Sequence, residues 1–292
     1  MRLSLTTTAI LFAILANTSK GTNNSMQTTP TVAGYGKELF EIGSIIYASD
    51  FSDRANWIIQ IEASKNLLPK ERISYTNGIL DLYMPAKGCT AWLNKKLTGA
   101  ITIVYQVRCP VETINGTSIQ ARDINNFWHC SDSFEFDALL RSSETRYKGN
   151  FSSYHEMLGY YASSGGGGRI GNQTTRFRRY PRRAGGENIP HPALNDKDAN
   201  PDYLITPGRW HTIQLVAYDG LVQYLMDGRV VYEIRYGDDI KVESQRNGKK
   251  STTGMTYNRE TFPAYDSGYF GFRMVASHHQ YRDLKVYRLN PK

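Results

Sequence analysis

An antiparallel all-β sandwich of two sheets, of jelly-roll type, is the fold class this sequence predicts, and three observations carry it. Short apolar runs with period-two alternation recur along most of the chain, as strands with one buried face require. Two Asp-Gly pairs, Asp219-Gly220 and Asp227-Gly228, separate three such runs, and that dipeptide between alternating segments is a strong hairpin signal. No long segment keeps a 3.6-residue apolar period, and no strand–helix alternation is visible. The 292 residues, 40% of them hydrophobic, suffice to bury one large core, and 20 Tyr suit strands that carry amphipathic rings.

Taken in order, the chain opens with Met1-Arg2 and an apolar run at 9–16 (AILFAILA), too short to span a bilayer. Residues 1–21 therefore read as a secretory signal peptide, which predicts a secreted or periplasmic protein without a membrane anchor. Residues 22–40, rich in Thr, Asn and Gly, read as a flexible lead-in, and 41–292 as a single domain. Strands are expected at 44–51, 57–63, 79–84 behind the Asn77-Gly78 turn, 89–93, 100–108, 125–130 and 134–140. Further strands follow at 210–218, 221–226, 229–236, 268–277 and 280–289. Segment 182–207, with Pro190, Pro192, Pro201 and Pro207, is expected as a loop forming a rim or lid, and charged segment 238–264 as structureless.

Three cysteines, Cys89, Cys109 and Cys130, permit buried thiols or one disulfide with a thiol left over, and sequence does not fix the pairing. With no His at ligand spacing they make a poor zinc site, so no cofactor or metal is expected and only structural calcium stays open. The formal charge of +8 points to an anionic partner or a basic surface.

The stretch that folding alone does not require is 154–180, YHEMLGYYASSGGGGRIGNQTTRFRRY. On a strand over 174–180, Arg176, Arg178 and Tyr180 share one face and Thr175, Phe177 and Arg179 the other. With Phe177 in the core, two guanidiniums and a phenol meet whatever lies opposite. Guanidinium forks match carboxylates and phosphates, which makes this an anion-site candidate; a solvated basic edge is the bland alternative. The Gly165–Gly168 run lacks the Lys-Ser/Thr ending of a P-loop and joins strands, so it is not a nucleotide site. Of the histidines, His155 ranks first because tyrosines and arginines surround it. No Gly-x-Ser-x-Gly or HExxH occurs, which leaves serine-hydrolase and zinc-protease readings without support. Glu135 and Asp137, on one face of an expected strand, with Glu156, leave paired-carboxylate glycoside hydrolysis open.

Asp123-Ile-Asn125-x-Phe127-Trp128, Tyr154-His155, Tyr160-Tyr161, the glycine run, TTRFRRY at 174–180, Gly271-Phe272-Arg273 and Ser277-His278 together resemble a family of exported concanavalin-like jelly-roll proteins associated with polysaccharide degradation. The resemblance covers about residues 51–286, and TTRFRRY is its most specific element. The uninterrupted glycine run departs from the family pattern. The resemblance implies a carbohydrate-active fold, and jelly-roll polysaccharide lyases are the nearest chemical analogy. In those enzymes Arg with Asn or Gln holds the uronate carboxylate, and His or Tyr moves protons.

The expectation is thus a secreted lyase cleaving a uronic-acid-containing polysaccharide by β-elimination. Arg176 and Arg178 would neutralise developing charge with Asn125, His155 or Tyr161 would be the base, and Tyr160 or Tyr161 the proton donor. Trp128 and Tyr180 would stack on sugar rings, and Arg179, Arg273 and His278 complete the binding set. A non-catalytic glycan-binding module and a glycoside hydrolase are the alternatives. The expected partner is an acidic polysaccharide or oligosaccharide, with no nucleic acid or membrane, and the expected state a monomer.

Overall fold

The computed structural model describes residues 28–63, 70–114, 117–141, 146–168, 170–246 and 249–292; the signal-peptide segment and the first residues of the lead-in lie outside them. The main strands are β1 Phe40–Ser49, β2 Trp57–Ile61, β3 Arg72–Thr76, β4 Ile79–Leu93, β5 Ile101–Arg108, β6 Ile124–Ser131, β7 Leu158–Gly166 and β8 Thr174–Tyr180. They continue as β9 His191–Leu194, β10 His211–Tyr218, β11 Leu221–Met226, β12 Arg229–Ile234, β13 Asp239–Arg246, β14 Lys249–Thr256 and β15 Ser267–Pro291. Pairing throughout is antiparallel, and the predicted sandwich is the observed architecture.

A front sheet runs β2–β4–β15–β6–β7–β8–β9–β13–β14, and a rear sheet β12–β11–β10–β5–β15–β1. The long β15 serves both: Tyr269–Arg273 pair with β6, and Gln280–Arg288 pair with β5. Ala276 and Asp283, both at positive φ, mark the register shifts where it bends.

Side chains from the two inner faces fill one core, including Trp128, Tyr160, Phe177, Phe270, Phe272, Leu215 and Val286. Polar bridges cross it. Trp128 Nε1 donates to Val216 O (3.3 Å) and Tyr224 Oη to Ser164 Oγ (2.9 Å), so these buried groups stay satisfied.

The Asp-Gly turns fall where predicted, with positive φ at both residues (39° and 87°, then 52° and 76°), as a type I′ hairpin turn requires. Elsewhere the structure corrects the sequence. Residues 134–140 contain the 3₁₀ turn Phe136–Leu140, not a strand. Segment 238–264 is no structureless loop but holds the β13–β14 hairpin, and 182–207 contributes β9, which joins β8 to β13. Residues 28–39 of the supposed flexible lead-in pack on the rear sheet, where Gln214 brackets Thr31 (2.7 and 2.8 Å). All three cysteines are buried free thiols. Among the described residues no helix is long and apolar enough to cross a membrane.

Candidate functional site

Strand register, more than any single residue, builds the outer face of the front sheet. Arg176 pairs with Ser163, Ser163 with Asn125, Asn125 with Arg273, Arg273 with Thr90 and Thr90 with Gln60. Two residues along each strand, and so on the same face, lie Arg178, Tyr161, Phe127, Gly271, Trp92 and Ile58, again in register. A polar row and an aromatic row thus run side by side across β8, β7, β6, β15, β4 and β2. The segment between β6 and β7 folds back over one end. Leu139, Tyr147 and Tyr154 pack with Trp92 and Phe127, while Gln60 accepts from Tyr154 Oη (2.6 Å) and Trp92 Nε1 (3.1 Å).

Beyond that cover the row opens into a hollow of about 250 Å³, lined by Glu62, Asp123, Asn125, Phe151, Tyr161 and Arg273. Arg273 is its buried cation. Nη1 donates to Met274 O (3.0 Å) and Nη2 to Gly149 O (3.3 Å), Phe151 lies beneath the guanidinium (4.8 Å), and Nε has no partner. A Cβ at Gly88 would come within 2.9 Å of both Arg273 Nη2 and Glu62 Oε2 and 3.0 Å of Gly149 O, so a side chain there would have to displace the tips of both charged groups. Tyr161 Oη donates to Asn125 Oδ1 (2.9 Å), and burial pushes its pKa up to about 12. Asp123 is held by the glycine run, its N–H donating to Gly165 O (3.1 Å). Burial raises its carboxyl pKa against the opposing pull of Arg122 (2.6 Å) and Arg273.

Next to the hollow, Tyr180 stands 5.8 Å from the Tyr161 ring and 6.3 Å from His155. Arg178 lies over Tyr161 (5.8 Å); its guanidinium makes no ion pair or hydrogen bond among the described residues, and burial lowers its pKa. Arg182 Nη1 donates to His155 Nε2 (3.1 Å), and the Arg182 and Arg183 N–H groups both donate to His155 O (2.7 and 3.0 Å). Nε2 is therefore the unprotonated nitrogen. Burial, then Arg182, Arg183, Arg178 and His191, lower His155 to about 3, so the imidazole is neutral at ordinary pH.

The structure brings together Asn125, Tyr161, Arg178, Tyr180, Arg273 and, at the margin, His155. It separates the rest. Tyr160, one residue from Tyr161, faces the core and accepts the Tyr265 N–H (3.0 Å). Trp128 is fully buried in the core, where no sugar ring can stack on it. Arg179 turns to the Tyr160 side, donating to Pro263 O (2.8 Å) and lying over Tyr265 (4.1 Å). Arg176 is on the right face, but its charge is committed to Asp198 (2.6 Å). His278 is buried elsewhere, between Asp81 (3.0 Å) and Glu112 (3.2 Å). Glu135, Asp137 and Glu156 do not line the hollow. They are taken by Arg141, by Tyr269 Oη (2.6 Å) and by Arg146 (2.6 Å) respectively. Glu62 and Phe151 were not anticipated; Asp123 stood in the family motif but was not given a role.

A family profile described as a domain of unknown function, DUF6250, matches residues 84–242. No curated protein matches the chain. Among solved structures, a protein of unknown function with a galectin-like fold from Bacillus subtilis superposes with a TM-score of 0.56 at 16% identity, covering 87% of this chain and 100% of that one. The carbohydrate-binding module CBM66 from Bacillus subtilis gives 0.40 at 8% identity (80% and 95% covered). LamA from Z. galactanivorans, solved with laminaritriose and laminaritetraose, gives 0.45 at 10% (85% and 100% covered). The first of these places the chain in the galectin-like fold class.

Proposed function

This chain belongs to the DUF6250 family, and from that premise we propose that its front face binds a uronic-acid-containing glycan and cleaves it by β-elimination. The observation that carries the reading is the cross-strand alignment of Arg273, Asn125 and Tyr161 around one hollow with Arg178 adjoining, two of the guanidinium Nε atoms lacking partners. Fixed cations beside a carboxylate acidify the adjacent C5 proton, because the enolate charge that develops is met by groups already in place. Arg273 and Asn125 receive the carboxylate, with Arg178 adjoining. His155 takes the C5 proton on Nε2 once Arg182 swings away. The C4–O bond breaks as the C4–C5 double bond forms, and Tyr161 delivers its proton to the departing oxygen. The opposed protonation states, a phenol that stays protonated and an imidazole that stays neutral, fit donor and acceptor respectively.

One observation favours a second reading, glycan binding without cleavage. In the free protein the Tyr161 proton is already given to Asn125, and the His155 lone pair already accepts from Arg182. Incubation with a panel of uronate polysaccharides decides between them. Cleavage by elimination gives an unsaturated product that absorbs in the far ultraviolet, and Tyr161→Phe abolishes it. Binding that is equal in wild type and Tyr161→Phe, with no product from any substrate, replaces the lyase by a binding module.

A further inference from the structure

The hollow around Arg273 accounts for one anionic group, yet more positive charge lies beside it. Arg178, Arg182 and Arg183 gather around Tyr180, His155 and His191 from β8, the turn after it, the start of β7's approach segment and β9. Among the described residues no carboxylate is within ion-pair distance of any of the three guanidiniums. Glu243 on β13 acts on Arg178 and on His191. Arg183 Nε does have a neutral partner, Asn188 Oδ1 (3.2 Å). The Nε atoms of Arg178 and Arg182 and Nε2 of His191 are buried with no hydrogen-bond partner. With His191 Nδ1 donating to Ile189 O (3.0 Å), its Nε2 is a lone pair while the ring is neutral; the two arginine Nε–H groups are unpaired donors, which is costly, and an absent acceptor is the economical explanation.

We propose that this cluster is a second anion subsite, which takes a tetrahedral oxyanion ester (sulfate or phosphate) carried by the glycan bound in the neighbouring hollow. Donors approach from several elements at once, and three terminal oxygens accept from more directions than a planar carboxylate does. Both imidazoles are held neutral in the free protein by burial and by the surrounding arginines, His155 at about 3 and His191 at about 4. An anion seated among those arginines offsets their repulsion and raises the proton affinity of both imidazoles, which stay neutral at ordinary pH. It also draws Arg182 off His155 Nε2, freeing the lone pair that the elimination step needs. The inference deepens the reading above and depends on it only for what carries the ester.

The test needs no glycan. Sodium sulfate is titrated into the full chain at pH 6 and constant ionic strength, with sodium chloride as control, while the His155 and His191 imidazole and Arg178 Nε–H resonances are followed by NMR. The expected result is a saturable shift with sulfate and not with chloride. Arg182→Ala weakens sulfate about tenfold or more. Arg178→Lys, which retains the charge, guards against a folding defect and weakens it less. Arg273→Lys, at the other hollow, leaves the sulfate response intact. A stronger response to inorganic phosphate than to sulfate assigns the ester as phosphate. No saturable shift in wild type, or an equal one in Arg182→Ala, overturns the subsite even if elimination product is found. A saturable shift with no product from any glycan keeps the subsite and removes the lyase reading.

Discussion

Replacing Arg273 by Lys tests the site at its centre. Arg273 is 2% exposed, and its two Nη atoms are spent on Met274 O and Gly149 O, which fix the plane of the guanidinium. Lysine keeps the charge that steadies Asp123, but it has one nitrogen and no fork, so it cannot hold both carbonyls and a carboxylate. The loss is that of one charge-assisted hydrogen bond, about 1.5–3 kcal/mol, or about 10- to 150-fold in affinity for a uronate oligosaccharide. Calorimetric titration of wild type and Arg273→Lys with a uronate oligosaccharide and with its neutral, carboxyl-reduced counterpart measures it. Weakening should be confined to the uronate. Equal losses for both ligands, or none for either, would refute the assignment of Arg273 as the carboxylate receptor.

Other outcomes follow from the same geometry. Tyr161→Phe removes one buried hydroxyl and leaves Asn125 Oδ1 without its donor, so stability in urea falls by about 1–3 kcal/mol while product formation disappears. Trp128→Phe, in the core, lowers the melting temperature yet leaves glycan affinity within twofold, because Trp128 never meets ligand. Stability also depends on pH through His129, buried and held neutral at about 4 by burial. Its unfolded form titrates near 6.5, so between these values the unfolded chain binds the extra proton. The contribution is complete above about pH 6.5 and is lost as pH falls toward 4, by at most about 1.4 kcal/mol per unit. Urea midpoints at pH 7 and pH 4.5 should differ in that direction, and less so in His129→Gln.

The fold was legible because alternation and turn chemistry are local. Asp219-Gly220 and Asp227-Gly228 named their hairpins outright, whereas the β13–β14 hairpin hid because charged and polar residues dominate it, with Ile240 and Val242 alternating inward and Met255 beside them. At the site, period two placed Arg178 and Tyr180 on one face correctly. The same rule, applied to neighbouring strands, would have rejected Tyr160 in favour of Tyr161 and Trp128 in favour of Phe127, since adjacent residues point to opposite faces. What no local rule could supply is that β15 runs beside β6, setting Arg273 opposite Asn125 from 148 positions away in the chain. Glu62 was invisible for the same reason, because it enters the hollow only through the pairing of β2 with β4.

The polar row also works as a ruler. From Arg273 to Arg176 it crosses three strand-to-strand steps, about 14 Å at the usual spacing of β-sheets. At the Arg273 end Phe151 and Tyr154 stop it like a bookend. An extended saccharide laid along the row would therefore have one terminus abutting that wall and only a few sugar units in contact. A chain lengthened past that point should gain nothing in affinity.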